Sequence, residues 1–106
     1  RRAEIASMAE LMMQDLDLLV TPTSPGVAGL TKEVDTLGYR PNLRFTGVFN
    51  QTWQPSVSIP CGFGLQSMPV GLMLTGRMWN DRLVLRAAHA FQLATDWHNA
   101  RPPVHP

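Results

Sequence analysis

Apolar residues recur at helical spacing near the beginning of the chain, with polar residues between them. The apolar stripe consists of Ile5, Met8, Ala9, Met12 and Leu16. Positions three and four apart share one face of an α-helix, so this spacing predicts an amphipathic helix over about residues 3–14. Glu4 and Glu10 fall on its other faces.

Two later runs, at residues 16–20 and 70–74, are almost continuously apolar. Such runs are typical of strands that are buried on both faces, which indicates helices on both sides of the sheet. A third, shorter strand is predicted at residues 56–59. We expect Pro60 and Gly62 to stop it.

The chain between the first two predicted strands is irregular over residues 23–43, where only residues 30–37 offer a turn of helix. So long a connection is uncommon inside a compact domain, and we expect it to pack on a surface outside this chain. Residues 44–53 are predicted to be helical. Pro55 ends this helix, because proline disfavours the helical conformation in the residue before it.

A longer helix is predicted to begin after Asn80, which is a favourable N-cap residue, with the acidic Asp81 in its first turn. Its predicted apolar stripe is Leu83, Ala87, Ala90, Phe91 and Ala94. The proline-rich tail from Trp97 onward cannot continue this helix and is expected to be extended or disordered.

This order of elements predicts an α/β fold. The few strands would leave sheet edges and apolar faces uncovered if they stood alone, so we expect the rest of the sheet elsewhere. The sequence also begins without Met and inside a helical pattern. We therefore interpret residues 1–106 as a segment of one larger domain.

Composition excludes several classes of partner. The net charge of +1 arises from scattered basic and acidic residues and predicts neither a nucleic acid nor an anionic membrane as partner. No apolar run approaches the roughly 20 residues of a membrane-spanning helix. The single Cys61 cannot form an internal disulfide, and a cytoplasmic location is expected.

No pattern within the sequence predicts a catalytic centre. His89 and His98 would lie on opposite sides of a helix, so they do not suggest a metal site. Ser58, His89 and Asp96 could compose a nucleophilic triad, but the G-x-S-x-G turn is absent, and we interpret Ser58 as a strand residue. Cys61 is interpreted as a small buried side chain. Neither common phosphate-loop pattern occurs.

Four segments, taken in order, resemble the end of the amidase signature family. Residues 17–23 are similar to D-x-L-L-x-P-T, residues 45–62 to F-T-x-x-x-N-x-T-G-x-P-x-x-S-x-P-x-G, residues 69–77 to P-V-G-L-Q-x-x-G-R, and Trp97 with Arg101, Pro102 and Pro103 to W-x-x-R-P-P. Each segment alone is weak evidence for the family, since Pro and Gly have ordinary structural roles at strand ends. Their order and spacing together indicate the family.

The resemblance implies the C-terminal part of the amidase-signature fold, a mixed β-sheet covered by helices on both faces. It also implies hydrolysis of carboxylic amides through an acyl-enzyme, with a Ser, cis-Ser, Lys triad upstream of these residues and no cofactor. This chain would then contain no catalytic residue and would wall one side of the acyl pocket. Phe49 and Trp53, one helical turn apart, are the candidate substrate-binding residues, with plain core packing as the alternative.

The sequence departs from the family pattern at several positions. Trp53 stands where the family usually has Gly, and Met73 where it often has Gln. In the branch that transfers ammonia from glutamine, an Asp is expected at the position of Leu43 to hold the substrate amino group. Leu43 therefore argues against a first alternative, a protein like the A subunit of glutamyl-tRNA(Gln) amidotransferase.

A second alternative is a non-catalytic binding or assembly module with the amidase shape. The partners expected on the main interpretation are a small amide substrate and the remainder of the amidase chain. The sequence does not decide between a monomer and a homodimer.

Overall fold

The structure is a computed structural model, and it describes residues 1–29 and 43–103. The helical turn predicted at residues 30–37 lies outside the described residues. The helices and strands are α1 Arg2–Met12, β1 Leu18–Pro22, α2 Thr46–Thr52, β2 Ser56–Phe63, β3 Pro69–Gly76 and α3 Asp81–Ala94. Short 3-10 turns follow β2, at Leu65–Ser67, and α3, at Trp97–Asn99.

β3 is the central strand of a three-stranded sheet with the order β1-β3-β2. Both pairings among the described residues are antiparallel. Helices and this sheet confirm the predicted α/β class. Val57 lies opposite Leu74 and Ile59 opposite Leu72, and because cross-strand partners share a face, these four apolar side chains point to the same side of the sheet.

α3 covers this apolar side of the sheet. Val84 and Ala88 of α3 pack with Ile59 and Leu74 in the buried core. A Cβ atom at Gly76 would lie 2.6 Å from Val84 Cγ2, which is closer than two carbon atoms can approach without displacement. The missing side chain at Gly76 therefore allows α3 to pack closely on the end of β3.

β2 is longer than the sequence predicted, because it continues through Pro60 and Gly62 to Phe63. Pro60 still lies opposite Gly71, and the register shifts before Gly62, which has a φ of 143° suited to glycine. Within the described residues β2 pairs only with β3, and an edge strand tolerates proline since it has no partner for an outward N–H. The prediction that Pro60 and Gly62 stop the strand is wrong.

β1 begins at Leu18, two residues later than predicted. The residues of β1 are half-buried or exposed, and Val20 is 56% exposed. β1 is the other edge of the sheet in the described part of the chain. The described part of the chain therefore does not bury β1 on both faces.

α3 begins at Asp81, as the sequence predicted, with Asn80 in the N-cap position. The Asn80 side chain makes no capping hydrogen bond. Its backbone carbonyl instead accepts hydrogen bonds from the N–H groups of Leu83 at 3.1 Å and Val84 at 3.3 Å. The first turn of α3 is thus closed by the backbone.

The buried face of α3 differs from the predicted stripe. Val84 and Ala88 are buried, whereas Ala90 and Ala94 are exposed. Apolar residues stand on several faces of this helix, so periodicity alone does not identify the face that meets the sheet. The predicted stripe is wrong at Ala90 and Ala94.

The segment after α3 is partly ordered by an aromatic contact. Within the 3-10 turn Trp97–Asn99, the ring of Trp97 meets the ring of Phe63 edge-on, with 6.1 Å between centroids. Arg101 donates a hydrogen bond to the carbonyl of His98 at 3.0 Å. The prediction of an extended or disordered tail from Trp97 is therefore wrong for this turn.

Candidate functional site

The face of the sheet opposite α3 carries paired hydroxyl groups. Thr23 Oγ1 and Ser58 Oγ lie 2.6 Å apart, and Ser56 Oγ and Thr75 Oγ1 lie 2.8 Å apart. A Cβ atom at Gly71 would lie 2.7 Å from Thr23 Oγ1 and 2.8 Å from Ser58 Oγ. The missing side chain at Gly71 lets the first pair of hydroxyls meet across β3.

This meeting point joins three of the segments that carry the family resemblance. Thr23 closes the first segment, Ser58 lies in the second and Gly71 in the third. Their pattern has a structural cause, because the hydroxyl pair ties the end of β1 to β2 over a strand that has no side chain there. Ser58 lies within β2, in agreement with its interpretation as a strand residue.

A cavity of about 310 Å³ opens beside this face of the sheet. It is lined by Thr23, Thr46, Phe49, Asn50, Gln54, Ser56, Val57, Ser58 and Met73. Most of these side chains carry a hydroxyl or an amide group, so the cavity presents hydrogen-bond donors and acceptors. Thr46 and Asn50 of α2 both reach this cavity.

A second cavity, of about 580 Å³, lies at the end of α2. It is lined by Phe49, Asn50, Trp53, Gln54, Pro55, Met78, Trp79 and Asp81. The structure thus brings the two predicted substrate-binding residues, Phe49 and Trp53, to one concave surface. Phe49 borders both cavities.

Trp53 ends α2 in the left-handed backbone region, with φ 59° and ψ 16°. Glycine is the usual residue at such a helix end, and a residue with a Cβ atom costs roughly 1 kcal/mol more there. This explains why the family pattern has Gly at the position of Trp53. The Arg2 guanidinium lies 4.7 Å from the centroid of the Trp53 ring and donates to the carbonyls of Asn50 at 2.9 Å and Gln51 at 3.0 Å.

A polar network that the sequence did not predict links α1 to the ends of α2 and β3. The Glu10 carboxylate accepts hydrogen bonds from Gln54 Nε2 at 3.1 Å and from the backbone N–H of Met78 at 2.8 Å, and it lies 3.6 Å from Arg77 Nε. The Thr52 hydroxyl donates to Gln54 Oε1 at 3.1 Å, and both residues are buried. Glu10 and Met78 are 68 positions apart, so no local pattern indicates this contact.

The network favours the ionised form of Glu10. Burial acts to raise the pKa of this carboxyl, but the hydrogen bonds from Met78 and Gln54 and the charge of Arg77 outweigh it and hold the pKa below its usual value of 4.5. A carboxyl whose pKa is lowered by folding stabilises the fold at pH values above its unfolded pKa. That contribution is lost as the pH falls through the pKa of the folded state.

We expect Glu10→Gln to lower the free energy of unfolding by about 1–2 kcal/mol at pH 7, since the amide keeps one acceptor oxygen but loses the charge. The experiment uses the product of the complete reading frame that contains these residues, here called the parent protein, in urea denaturation at pH 7 and pH 4. The difference from the unmodified protein should shrink at the lower pH. Glu4→Gln is the control, because the Glu4 side chain is 80% exposed. An equal difference at both pH values would contradict the role of the ionised carboxylate.

The groups considered as catalytic candidates are not brought together. Ser58 points away from α3, which carries His89, so these residues and Asp96 form no triad. Cys61 is half-buried, with its Sγ 3.6 Å from the carbonyl oxygen of Val70, whereas a buried side chain was predicted. In residues 1–29 and 43–103, no three His, Cys, Asp or Glu side chains are grouped to hold a metal ion. No helix in these ranges is long and apolar enough to cross a membrane.

Comparison with known proteins identifies the family. The sequence model of the Amidase family matches residues 1–85. The chain therefore belongs to the amidase signature family, whose members include amidases and amidotransferases that act on carbon–nitrogen bonds. This confirms the resemblance seen in the four sequence segments.

Individual proteins of the family are also similar to this chain. The A subunit of glutamyl-tRNA(Gln) amidotransferase from Cupriavidus taiwanensis is 39% identical over 103 residues, which cover 95% of this chain and 21% of that protein. The crystal structure of the same subunit from Thermotoga maritima matches with a TM-score of 0.81 and 32% identity, over 90% of this chain and 21% of that one. A structure of 6-aminohexanoate cyclic dimer hydrolase matches with a TM-score of 0.77 and 26% identity, over 96% of this chain and 24% of that one. This chain therefore spans about a fifth to a quarter of the length of these proteins.

Proposed function

We propose that this chain is part of an enzyme that hydrolyses carboxylic amides to an acid and an amine or ammonia. The observation that carries the proposal is the family match over residues 1–85, joined to a fold that resembles solved members with a TM-score of up to 0.81. The Ser58 hydroxyl is hydrogen-bonded to the Thr23 hydroxyl, and it faces away from His89 on α3. The resemblance to the family supports a catalytic Ser, cis-Ser and Lys that lie upstream of these residues in the parent protein.

In the proposed reaction, the lysine is kept neutral by burial and by its neighbours and accepts a proton through the bridging serine. The nucleophilic serine then attacks the amide carbon, and backbone N–H groups stabilise the oxyanion. Breaking the C–N bond releases the amine, which takes up the proton, and water hydrolyses the acyl-enzyme to the acid. The contribution of this chain is to complete the sheet and to form one wall of the acyl pocket.

Phe49 and Trp53 are the residues proposed to contact the acyl group. Two features support this role: both side chains border the 580 Å³ cavity, and Phe49 also borders the 310 Å³ cavity beside the sheet, whose lining includes hydroxyl and amide side chains. A site with an apolar part next to hydrogen-bonding groups suits an amide, whose acyl chain is apolar and whose carbonyl and nitrogen are polar.

Ammonia release tests the proposal. The parent protein is incubated with butyramide, phenylacetamide and glutamine, and ammonia is measured over time. We expect hydrolysis of at least one of the two simple amides, and no hydrolysis when the proposed nucleophilic serine of the parent protein is replaced by alanine. A parent protein without the Ser-Ser-Lys stretch, or one that releases no ammonia from any of the three, would contradict the enzyme proposal.

A second candidate is a component of a glutamine-dependent amidotransferase, because relatives that are the A subunit of glutamyl-tRNA(Gln) amidotransferase reach 39% identity. Leu43, which is 56% exposed, stands where the resemblance expects an Asp that holds the substrate amino group. An aliphatic side chain cannot pair with an ammonium group. Glutamine hydrolysis faster than hydrolysis of the simple amides would favour this candidate over the first.

The remaining alternative is a non-catalytic module with the amidase shape. A parent protein that lacks the Ser-Ser-Lys stretch would favour this alternative. We further propose a cytoplasmic location and no nucleic acid partner, supported by the single cysteine and the balanced charge of the chain. A homodimer of the parent protein is also compatible with the proposal.

A further inference from the structure

Two tryptophans with left-handed backbone conformations border the 580 Å³ cavity. Trp53 has a φ of 59° and Trp79 a φ of 66°, and both line the cavity. Among the described residues, the other two non-glycine residues with a positive φ are Gln66 and Ser67. Half of the described non-glycine residues in this conformation therefore meet at one concave surface.

A left-handed backbone is unfavourable for a residue with a Cβ atom, whereas glycine adopts it without strain. The indoles do not recover this cost through burial in the described chain, because Trp53 is 56% exposed and Trp79 is 89% exposed. Backbone strain of this kind tends to cluster at ligand-binding sites. The two side chains therefore point to a role in binding.

The lining of this cavity is mainly aromatic and apolar. Phe49 lies one helical turn before Trp53, and Pro55 and Met78 complete the apolar part. Its polar groups belong to Asn50, Gln54 and Asp81. A volume of about 580 Å³ is within the range of small-molecule sites.

Trp53 is held in place from the side of α1. The Arg2 guanidinium lies over its ring at 4.7 Å from the centroid and is itself fixed by two backbone carbonyls of α2. A cation over an indole face is an attractive contact. Because Arg2 does not line the cavity, it orients Trp53 without occupying the space available to a ligand.

We infer that this cavity binds the aryl group of an aryl-bearing amide through Phe49, Trp53 and Trp79. The inference rests on the proposed function and names the class of substrate for that site. Aromatic rings stack offset or edge-on against indole and phenyl rings, an attraction that an aliphatic chain of equal size lacks. The acidic Asp81 disfavours a carboxylate on the ring, so neutral and cationic aryl groups are preferred.

The test compares two substrates in the parent protein. The unmodified protein should have a kcat/KM for phenylacetamide at least tenfold above that for cyclohexylacetamide, whose aliphatic ring matches the phenyl group in size, and Trp53→Gly and Trp79→Gly should each lower this ratio at least fivefold. Glycine relieves the left-handed backbone, so the melting temperature should not fall. Gln66→Gly is the matched control, because Gln66 has a φ of 56° and does not line this cavity. It should leave the activity and the ratio unchanged.

Three results would overturn the inference. The first is an unchanged substrate ratio in both tryptophan variants. The second is unfolding of either glycine variant, which would show that its indole packs against other parts of the parent protein. The third is a ratio in Trp53→Phe as low as in Trp53→Gly, since phenylalanine restores an aromatic ring and should recover part of the selectivity.

A binding measurement separates this inference from the proposed function. Isothermal titration calorimetry of the parent protein uses phenylacetone, which carries the phenyl group but no amide, and cyclohexylacetone as its aliphatic counterpart of matched size. We expect tighter binding of phenylacetone, lost in Trp53→Gly and kept in Gln66→Gly. If the parent protein hydrolyses no amide yet shows this pattern, the aryl site stands and the proposed function fails. If the two ketones bind equally or not at all, the aryl site is overturned even where amides are hydrolysed.

Discussion

Gly71→Ala in the parent protein is expected to lower the free energy of unfolding by about 2–3 kcal/mol. The added Cβ atom would lie 2.7 Å from Thr23 Oγ1, 2.8 Å from Ser58 Oγ and 3.1 Å from Thr23 Cβ. These side chains are short, so they can move aside only by breaking their 2.6 Å hydrogen bond or by shifting the strands. Urea denaturation of both proteins measures the difference.

Gly47→Ala is the matched control for Gly71→Ala. Gly47 lies within α2, and no atom lies within 4 Å of the position where its Cβ would be. Alanine is favoured over glycine in a helix by about 1 kcal/mol, so this variant should be neutral or more stable. Equal losses of stability in the two variants would contradict the close contact at Gly71.

The 106-residue chain expressed alone is expected to hydrolyse no amide and to show no cooperative thermal transition. Several large apolar side chains outside the 580 Å³ cavity stand in solvent among the described residues: Met8 65%, Met12 80%, Leu65 82% and Leu93 76% exposed. Exposed apolar surface of this extent promotes association and leaves little burial to offset chain entropy. Circular dichroism melting and size-exclusion chromatography measure the outcome.

Co-expression with the rest of the parent protein is the control for the isolated chain. If the exposed apolar surface normally packs against that remainder, the two pieces should be recovered together in soluble form. A soluble monomer of the 106 residues with a sharp cooperative melt would contradict the interpretation of the chain as part of a larger domain.

The elements with strong local patterns were the most predictable from sequence. β3 is a run of apolar residues that begins at Pro69 and ends at Gly76, and α3 follows a favourable N-cap residue. These signals lie within a few positions of one another. The extent of β2 was not predictable in the same way, because the effect of Pro60 depends on whether the strand is central or at an edge.

The candidate site was predictable only in part. Helical spacing places Phe49 and Trp53 together, and the structure brings both to one cavity. Trp79 joins them from the segment between β3 and α3, where no periodicity gives a signal. Glu10 and Gln54 meet through the packing of α1 against the end of α2, a contact that depends on the tertiary fold.

The structure also gives a physical reason for the spacing of the family segments. Thr23, Ser58 and Gly71 meet at one point of the sheet, and Arg77 lies beside Glu10 of α1. Residues that are distant in sequence are therefore in direct contact in the fold. Such contacts support the fold.

The most direct test of the central claim is labelling of the parent protein with a fluorophosphonate, followed by mass spectrometry of its peptides. The central claim is that this chain completes an amidase domain whose nucleophile lies outside it. We predict a single labelled serine outside these 106 residues, with loss of labelling when that serine is replaced by alanine. Labelling at Ser58, or at another serine within this chain, would contradict the claim.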